Sequence, residues 1–221
     1  MFLASGAASA KDIREYDPLF SSVDTLEVDV EGPFEFLARE RPDEEEAPGK
    51  LRYVNADGES VEFDVQIRAR GNWRRNPEIC KFPPLRINFR KSQTDDTLFH
   101  KQDKIKLVTH CNNNARYAQA VVSEYLAYRI FNTLTDYSFR VRPLEVTYLD
   151  SETGNSLPSR FAFLIEDDSD VAKRNDLKKL KIPKIMATGL DPEIASLFAL
   201  FQYMIGNVDW AATAGPDPEE C

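Results

Sequence analysis

The segment from residue 61 to 69 alternates apolar and polar residues without a break, and it constrains the fold more than any other part of the chain. In an extended strand alternate side chains share a face, so this pattern predicts a strand with one buried side. Asn55-Ala56-Asp57-Gly58 lies just before it and favours a hairpin turn after a strand at 51–54. The same reasoning predicts two strands within 22–40 joined at Gly32-Pro33, and others at 85–89, 104–108, 139–149 and 160–166.

Helical periodicity replaces this alternation at 115–134, where apolar residues recur on more than one side of the predicted helix. A short basic helix is predicted within 170–181. The last helix begins after Asp191, which is a good N-cap before a proline, and ends at Gly206. The order is therefore a run of strands, a helix, two strands and then helices, without β-α-β alternation. That order predicts an α+β fold with an antiparallel-rich sheet.

The composition favours a globular protein that does not bind nucleic acid. Apolar residues make up 42% of the 221, and the formal net charge is −9, whereas neutralising phosphates needs a basic surface. Three cysteines and two histidines show no metal-ligand spacing, which argues against a structural zinc site. No stretch of the sequence approaches the length of a transmembrane helix.

The first residues predict export from the cytoplasm. Met1-Phe2-Leu3-Ala4 followed by Ala8-Ser9-Ala10 is typical of the end of a secretory signal. The alternative is a short disordered tail rich in Ala, Ser and Gly. The sequence leaves open whether Cys80 and Cys111 are bonded, although an extracytoplasmic location would permit a disulfide.

Glu124 is the first candidate for a functional residue, because it lies on an apolar stripe of the predicted helix 115–134. A carboxylate there must be neutralised, hydrogen-bonded or paired with a cation. The strand before the helix presents Lys104 and Lys106 on one face. Protein kinases use a lysine on a strand and a glutamate on the next helix to hold ATP phosphates. The alternatives are a structural ion pair and a glutamate that reaches solvent.

A basic cluster around Gly71 is the second candidate and indicates an anion site. Its members are Arg68, Arg70, Arg74, Arg75 and Lys81. Glycine lets a backbone approach an anion closely, and arginine side chains bind phosphate or carboxylate in a bidentate manner. The chain contains neither a Walker-type loop nor a G-x-G-x-x-G motif. A β-bulge with solvated arginines is the alternative.

The end of the last predicted helix carries the third candidate, Asn207 and Asp209. Released by Gly206, the two side chains could project together into a cleft as a proton acceptor and a positioning or ligating group. An ordinary C-cap with an Asx turn is the alternative. Glu166 ends the apolar strand at 160–166 and leads into Asp167-Asp168.

Taken in order along the chain, these segments resemble the CotH family of atypical, secretory-type protein kinases. The resemblance covers roughly residues 60–210. The segments that carry it are Arg70-Gly71-Asn72, the stretch from Lys81 to Phe89, the strand 104–109, the helix with Glu124, the strand from Phe161 to Glu166, and Gly206-Asn207-Val208-Asp209-Trp210.

The resemblance implies a kinase-like fold: a tail at 1–21, a strand-rich N-lobe with a buried helix at 22–168, and the start of a helical C-lobe at 169–221. It also implies ATP with Mg²⁺ or Mn²⁺, and transfer to Ser or Thr of secreted or spore-surface proteins. Lys106 or Lys81 would hold phosphate, and Glu124 would orient that lysine. The other implied positions are the catalytic Asp209, the ATP- or phosphate-binding residues Arg70, Arg86 and Glu166, and a metal ligand, Asn207.

Two departures from the family pattern affect these expectations. Trp73-Arg74-Arg75 replaces the usual run of hydroxyl, small and basic residues, which leaves the choice of lysine open. The family's metal-binding Asp-x-Asp has no counterpart before Cys221, so the chain is expected to be incomplete and inefficient in transfer. A non-catalytic extracytoplasmic module for an anionic partner and a nucleotide-binding pseudokinase are the alternatives.

Overall fold

The computed structural model describes residues 17–42, 44–71, 73–180, 182 and 184–213. The strands in this part are β1 Leu26–Gly32, β2 Ala47–Val54, β3 Ser60–Ala69, β4 Leu85–Phe89, β5 Lys104–Val108, β6 Val141–Asp150 and β7 Arg160–Ile165. The α-helices are α1 Phe34–Arg39, α2 Lys91–Thr94, α3 Ala115–Leu134, α4 Asp168–Arg174 and α5 Pro192–Met204, and short 3₁₀ helices lie at Trp73–Arg75 and Ala187–Gly189.

The seven strands close into a barrel in the order β1-β2-β3-β4-β5-β7-β6. All neighbouring pairs are antiparallel except β1 and β6, which run parallel with Leu26 opposite Leu144. The expected α+β fold, with an antiparallel-rich sheet as a kinase-like N-lobe, is therefore wrong. Local alternation predicts strands, but it carries no information about the pairing of β1 with β6 that closes the sheet.

The barrel interior is filled by the alternate residues of each strand, as the period-two pattern predicts. Ile67, Ile87 and Leu107 are fully buried on three neighbouring strands. Phe63 packs against Tyr53, Phe89 and Phe99, with ring centroids 5.5–6.1 Å apart. Burying a side chain of this kind contributes about 1.5–3 kcal/mol. The outward residues of the same strands are therefore fixed in place by the core.

Helix α3 lies on the outside of the barrel, where Val121 and the rings of Tyr125 and Tyr128 pack against Phe163 and its neighbours. Its bounds match the sequence prediction, and the Asn114 Oδ1 caps it by accepting a hydrogen bond from the Tyr117 N–H at 3.2 Å. Val121 is its single fully buried residue.

The side of α3 that faces away from the barrel is only partly covered. The sequence predicts burial on more than one side of this helix, and the structure shows less burial than that. Phe131 packs against Phe198 and Phe201 of α5, with ring centroids 5.9 and 4.7 Å apart. Leu126, Ile130 and Leu134 remain between 45 and 49% exposed.

Residues 34–39 form a helix where the sequence predicts a second strand. Phe34 and Leu37 are both buried and lie three residues apart, which suits a helical turn as well as a loose alternation. The carboxylate of Asp150, at the end of β6, accepts a hydrogen bond from the Glu35 N–H at 2.8 Å. This long-range contact satisfies a free amide of the first turn. The local sequence pattern does not predict it.

The other local predictions agree more closely with the structure. The turn before β3 is confirmed, with Gly58 at a φ of +81°. The N-cap of α5 is confirmed as well, since the Asp191 Oδ1 accepts hydrogen bonds from the N–H groups of Glu193 and Ile194. Helix α4 is shorter than the predicted 170–181, and the proposed boundary at residue 168 stays a prediction. Among the residues that the structure describes, none of the helices combines the length and apolar character needed to cross a membrane.

Candidate functional site

Five cations lie on the outer face of β3, β4 and β5 or directly after β3, and we call them the basic face: Arg68, Arg70, Arg86, Lys104 and Lys106. Arg68 lies opposite Arg86 in the β3–β4 register, and Arg86 lies opposite Lys106 in the β4–β5 register. Neighbouring strands are about 4.8 Å apart, so these three cations form a row across the barrel wall. Like charges directly opposite each other destabilise a sheet. The row is therefore costly unless anions compensate it.

Asp168 compensates one end of the row. The Lys106 Nζ lies 3.2 Å from the Asp168 Oδ1, and Lys179 pairs with the other carboxylate oxygen. Partial burial alone would raise the pKa of Asp168, but the ammonium groups of Lys179 and Lys106 outweigh it and lower the pKa to about 2. Lys106 also lies 5.5 Å from the centre of the Phe139 ring.

Glu124 compensates a cation beyond the other end of the basic face. Its Oε2 lies 2.9 Å from the Arg74 Nη2, and the two side chains are 28% and 38% exposed. Glu124 and Lys106 thus each have another partner in this structure, and the expected Lys106–Glu124 ion pair is not formed. The roles assigned to the two residues stay predictions.

Arg86, in the middle of the row, and Arg70, directly after β3, lack such compensation. Within the described ranges, neither guanidinium has a carboxylate at ion-pair distance, while Arg74 and Lys106 beside them do. Burial, together with the positive charges of Arg74 and Arg86, lowers the pKa of Arg70, and the nearby Tyr128 and Glu124 oppose this. The Arg70 N–H is fixed by a hydrogen bond to the Pro84 carbonyl at 2.8 Å.

A cross-linked loop, residues 73–82, lies beside the basic face and carries Arg74, Arg75 and Lys81. A disulfide joins Cys80 to Cys111, the bond that the sequence left open. The exposed Lys81 is held through its backbone, whose N–H donates to the Asn112 Oδ1 at 3.4 Å.

Arg41 fixes the same loop from beneath, and nothing in the sequence pattern singles it out. It is 8% exposed, and its guanidinium donates hydrogen bonds to the carbonyls of Ala38, Arg75 and Cys80 at 2.6 Å and of Lys81 at 3.1 Å. Burial lowers the pKa of Arg41. The four carbonyls join the end of α1 to both ends of the loop.

Glu166 is a buried carboxylate whose bonding capacity is used within the fold. It is 1% exposed and forms a bidentate ion pair with Arg174 at 2.9 and 3.1 Å. The Arg140 N–H donates to the same carboxylate at 2.9 Å. These contacts tie β6, the end of β7 and α4 together.

Asn207 and Asp209 follow α5 and bond to each other and to the helix. The Asp209 N–H donates to the Asn207 Oδ1 at 3.0 Å, and the Asn207 Nδ2 donates to the Gln202 Oε1 at 2.7 Å. This is the Asx turn that the sequence left as an alternative. No hydrogen bond or ion pair in the described part of the chain links Asp209 to the basic face.

The metal ion that the resemblance implies, with Asn207 as a ligand, stays a prediction. Among them, no group of three or more His, Cys, Asp or Glu side chains is placed to hold a metal. Asn207 uses both of its amide atoms inside the turn, which leaves Asp209 as a single carboxylate. Mg²⁺ in phosphoryl-transfer sites is bound by one or two carboxylates together with phosphates, and Asp209 supplies one.

Two surface cavities are lined by residues other than those of the basic face. The first, of about 300 Å³, is lined by charged residues that include Asp17 and Asp170. Asp17 is 4% exposed, and burial followed by the charges of Glu166 and Asp170 raises its pKa to about 7. The second, of about 470 Å³, lies on the outer side of β1 and β6 and is lined by residues that include Glu27, Asp29 and Glu145. In the strand order of the barrel, β2 and β7 separate this groove of β1 and β6 from the basic face.

Comparison with known proteins finds no match for the chain among family models, curated proteins or solved structures. The resemblance to CotH-type kinases stays a prediction.

Proposed function

We propose that this chain binds a phosphate-bearing anion on the basic face. The observation that carries the proposal is the pair of half-buried guanidiniums, Arg70 and Arg86, which have no carboxylate partner among the described residues. Cations removed from water are normally paired, and a bound oxyanion would pair both. Arginine suits this role because its planar group offers two parallel N–H donors to a phosphate.

The distribution of charge over the barrel supports the same proposal. The chain carries a net charge of −9, yet one wall presents five cations and the opposite groove presents carboxylates. Such segregation guides an anion to one side of the molecule. The loop 73–82, held by its disulfide and by Arg41, adds Lys81 and Arg74 at the edge.

Calorimetric titration with tripolyphosphate at fixed ionic strength tests this function. We expect Arg70→Ala and Arg86→Ala each to weaken binding about tenfold, the effect of losing a hydrogen bond to a charged group. Arg52→Ala is a matched control, since Arg52 is also a half-buried, outward arginine in mid-strand, but on β2 and paired with Glu31 and Glu62. Equal losses of affinity in all three variants would show that binding depends only on the net charge of the protein, and this result would refute the site.

ATP-dependent phosphoryl transfer to Ser or Thr of extracytoplasmic proteins is the more specific second proposal. It rests on the resemblance: Lys106 belongs to the basic face and the charge of Glu124 acts on Arg70, although Lys106 and Glu124 each pair with another residue in this structure. Transfer of labelled phosphate from ATP to a Ser/Thr protein, in the presence of Mg²⁺ or Mn²⁺ and lost in Asp209→Ala, would support it. Tripolyphosphate binding without any transfer would leave the non-catalytic module or the nucleotide-binding pseudokinase.

An extracytoplasmic location is part of this proposal and is supported by the Cys80–Cys111 disulfide, because such bonds persist in oxidising compartments. The signal-like segment itself, residues 1–10, lies outside the described residues. With a net charge of −9 we do not expect nucleic acid as the anionic partner.

A further inference from the structure

We propose that Arg74 is a charge-dependent contact of the basic face: it stays on Glu124 when the face holds a monoanion and transfers to a ligand that carries two negative charges. This rests on the anion-binding function proposed above and names the chemical class it prefers, dianionic phosphate groups. The two residues would thereby determine the specificity of the site.

The first step is that Arg74 can reach the basic face. Arg74 follows Arg70 by four residues in the chain and contacts Glu124 at 2.9 Å, and the charges of both Arg74 and Glu124 act on the Arg70 guanidinium. Arg74 lies in the short 3₁₀ turn Trp73–Arg75 and is 38% exposed, so its long side chain has room to change its direction.

The second step is that Glu124 cannot follow it. Glu124 belongs to α3, a helix of 20 residues whose Val121 and Tyr128 pack on the barrel wall. The backbone of Glu124 is therefore fixed, its negative charge gives it no reason to approach an anion, and that charge also acts on Arg70 and Tyr128. The Glu124 carboxylate and the bound ligand therefore compete for the Arg74 guanidinium.

The third step compares the two anions. A monoanion offers Arg74 the same charge that it already has in Glu124, so the exchange gains little. A phosphate monoester carries close to two negative charges above a pKa near 6, and charge-assisted hydrogen bonds to it are strong. An ion pair as exposed as Arg74–Glu124 favours the paired state over the separated state by an equilibrium constant of about two to five. The stronger attraction of a dianion can overcome this preference.

Phenyl phosphate and phenyl sulfate test the proposal, since they have similar shapes but carry two charges and one charge at pH 8. The exposed Trp73 is next to Arg74 and can report binding by fluorescence in a Trp210→Phe background, because the chain has two tryptophans. We expect Arg74→Ala to weaken phenyl phosphate binding about three- to tenfold, and phenyl sulfate binding by no more than about twofold, through the Glu124 carboxylate left unpaired.

Removing Glu124 should abolish this difference. In Glu124→Gln, Arg74 has no internal partner, so phenyl sulfate should bind about two- to fivefold more tightly, and Arg74→Ala should now weaken both ligands. Arg39→Ala is the control, because Arg39 is also an exposed arginine in an ion pair, with Glu40 at 2.6 Å.

The outcomes separate the two proposals. If Arg74→Ala weakens both ligands equally in the native background, or weakens neither, the charge-dependent transfer is wrong while the anion site stands. If phenyl phosphate does not bind, or binds independently of Arg86, the anion site and with it the transfer are refuted.

Discussion

Replacing Arg41 by Met should destabilise the chain and loosen the loop that borders the basic face. The Arg41 guanidinium donates four hydrogen bonds to backbone carbonyls, three of them at 2.6 Å. At about 1 kcal/mol net for each bond their loss costs about 4 kcal/mol, and relief of the buried charge reduces this. We therefore expect the free energy of unfolding to fall by about 2–4 kcal/mol.

Urea denaturation of the oxidised protein measures this change, with the Cys80–Cys111 bond kept intact. Arg39→Met is the matched control: Arg39 lies two residues earlier, is exposed and pairs only with Glu40 in the described part of the chain, so its loss should leave the midpoint unchanged. Amide hydrogen exchange should also accelerate within 73–82 in the Arg41 variant. An unfolding free energy equal to that of the Arg39 variant would refute the structural role given to the buried guanidinium.

Three other perturbations test the fold and its electrostatics. Phe63→Ala should lower the free energy of unfolding by about 3–5 kcal/mol, because Phe63 is 1% exposed and packs among aromatic rings. Tyr203 is 84% exposed, so Tyr203→Ala should leave the free energy of unfolding nearly unchanged. Equal effects of the two substitutions in calorimetry would contradict the placement of Phe63 in the barrel core. Removing the disulfide with Cys80→Ser and Cys111→Ser should lower the free energy of unfolding by about 4 kcal/mol, because the bond closes a loop with a sequence separation of 31. Urea unfolding measures this change, and an unchanged midpoint would argue against the bond. The pKa of Asp17 is about 7 in the folded chain and near 3.8 unfolded, so the stability it contributes is complete below about pH 4 and is lost as the pH rises through 7. Asp17→Asn should flatten this decline in unfolding titrations, and an identical pH profile would contradict the raised pKa.

The sequence predicts individual elements of this fold better than their arrangement. The alternation at 61–69 and the helical pattern at 115–134 give β3 and α3 almost to the residue, because burial against one neighbour is enough to produce each period. The closure of the barrel depends on the parallel pairing of Leu26 with Leu144, and no local property of either strand encodes it. An α+β interpretation follows naturally when that pairing is unknown.

The candidate site shows the same limit. Alternation places Lys106 on the outer face, but the acid that meets it depends on which strand lies beside β5. That strand is β7, with Lys106 opposite Ile165, and it leads directly to Asp168, so the lysine pairs there and Glu124 is left to Arg74. The basic cluster near Gly71 was visible in the sequence, whereas the uncompensated state of Arg86 depends on cross-strand neighbours.

The central claim, that the basic face binds phosphate-bearing anions, is tested most directly by mapping amide chemical shifts during a tripolyphosphate titration. The account predicts saturable shifts concentrated at 68–71, 84–87 and 104–108 and at the loop 73–82, and their loss in Arg86→Ala. Shifts confined to the acidic groove of β1 and β6, or shifts that do not saturate, would contradict it.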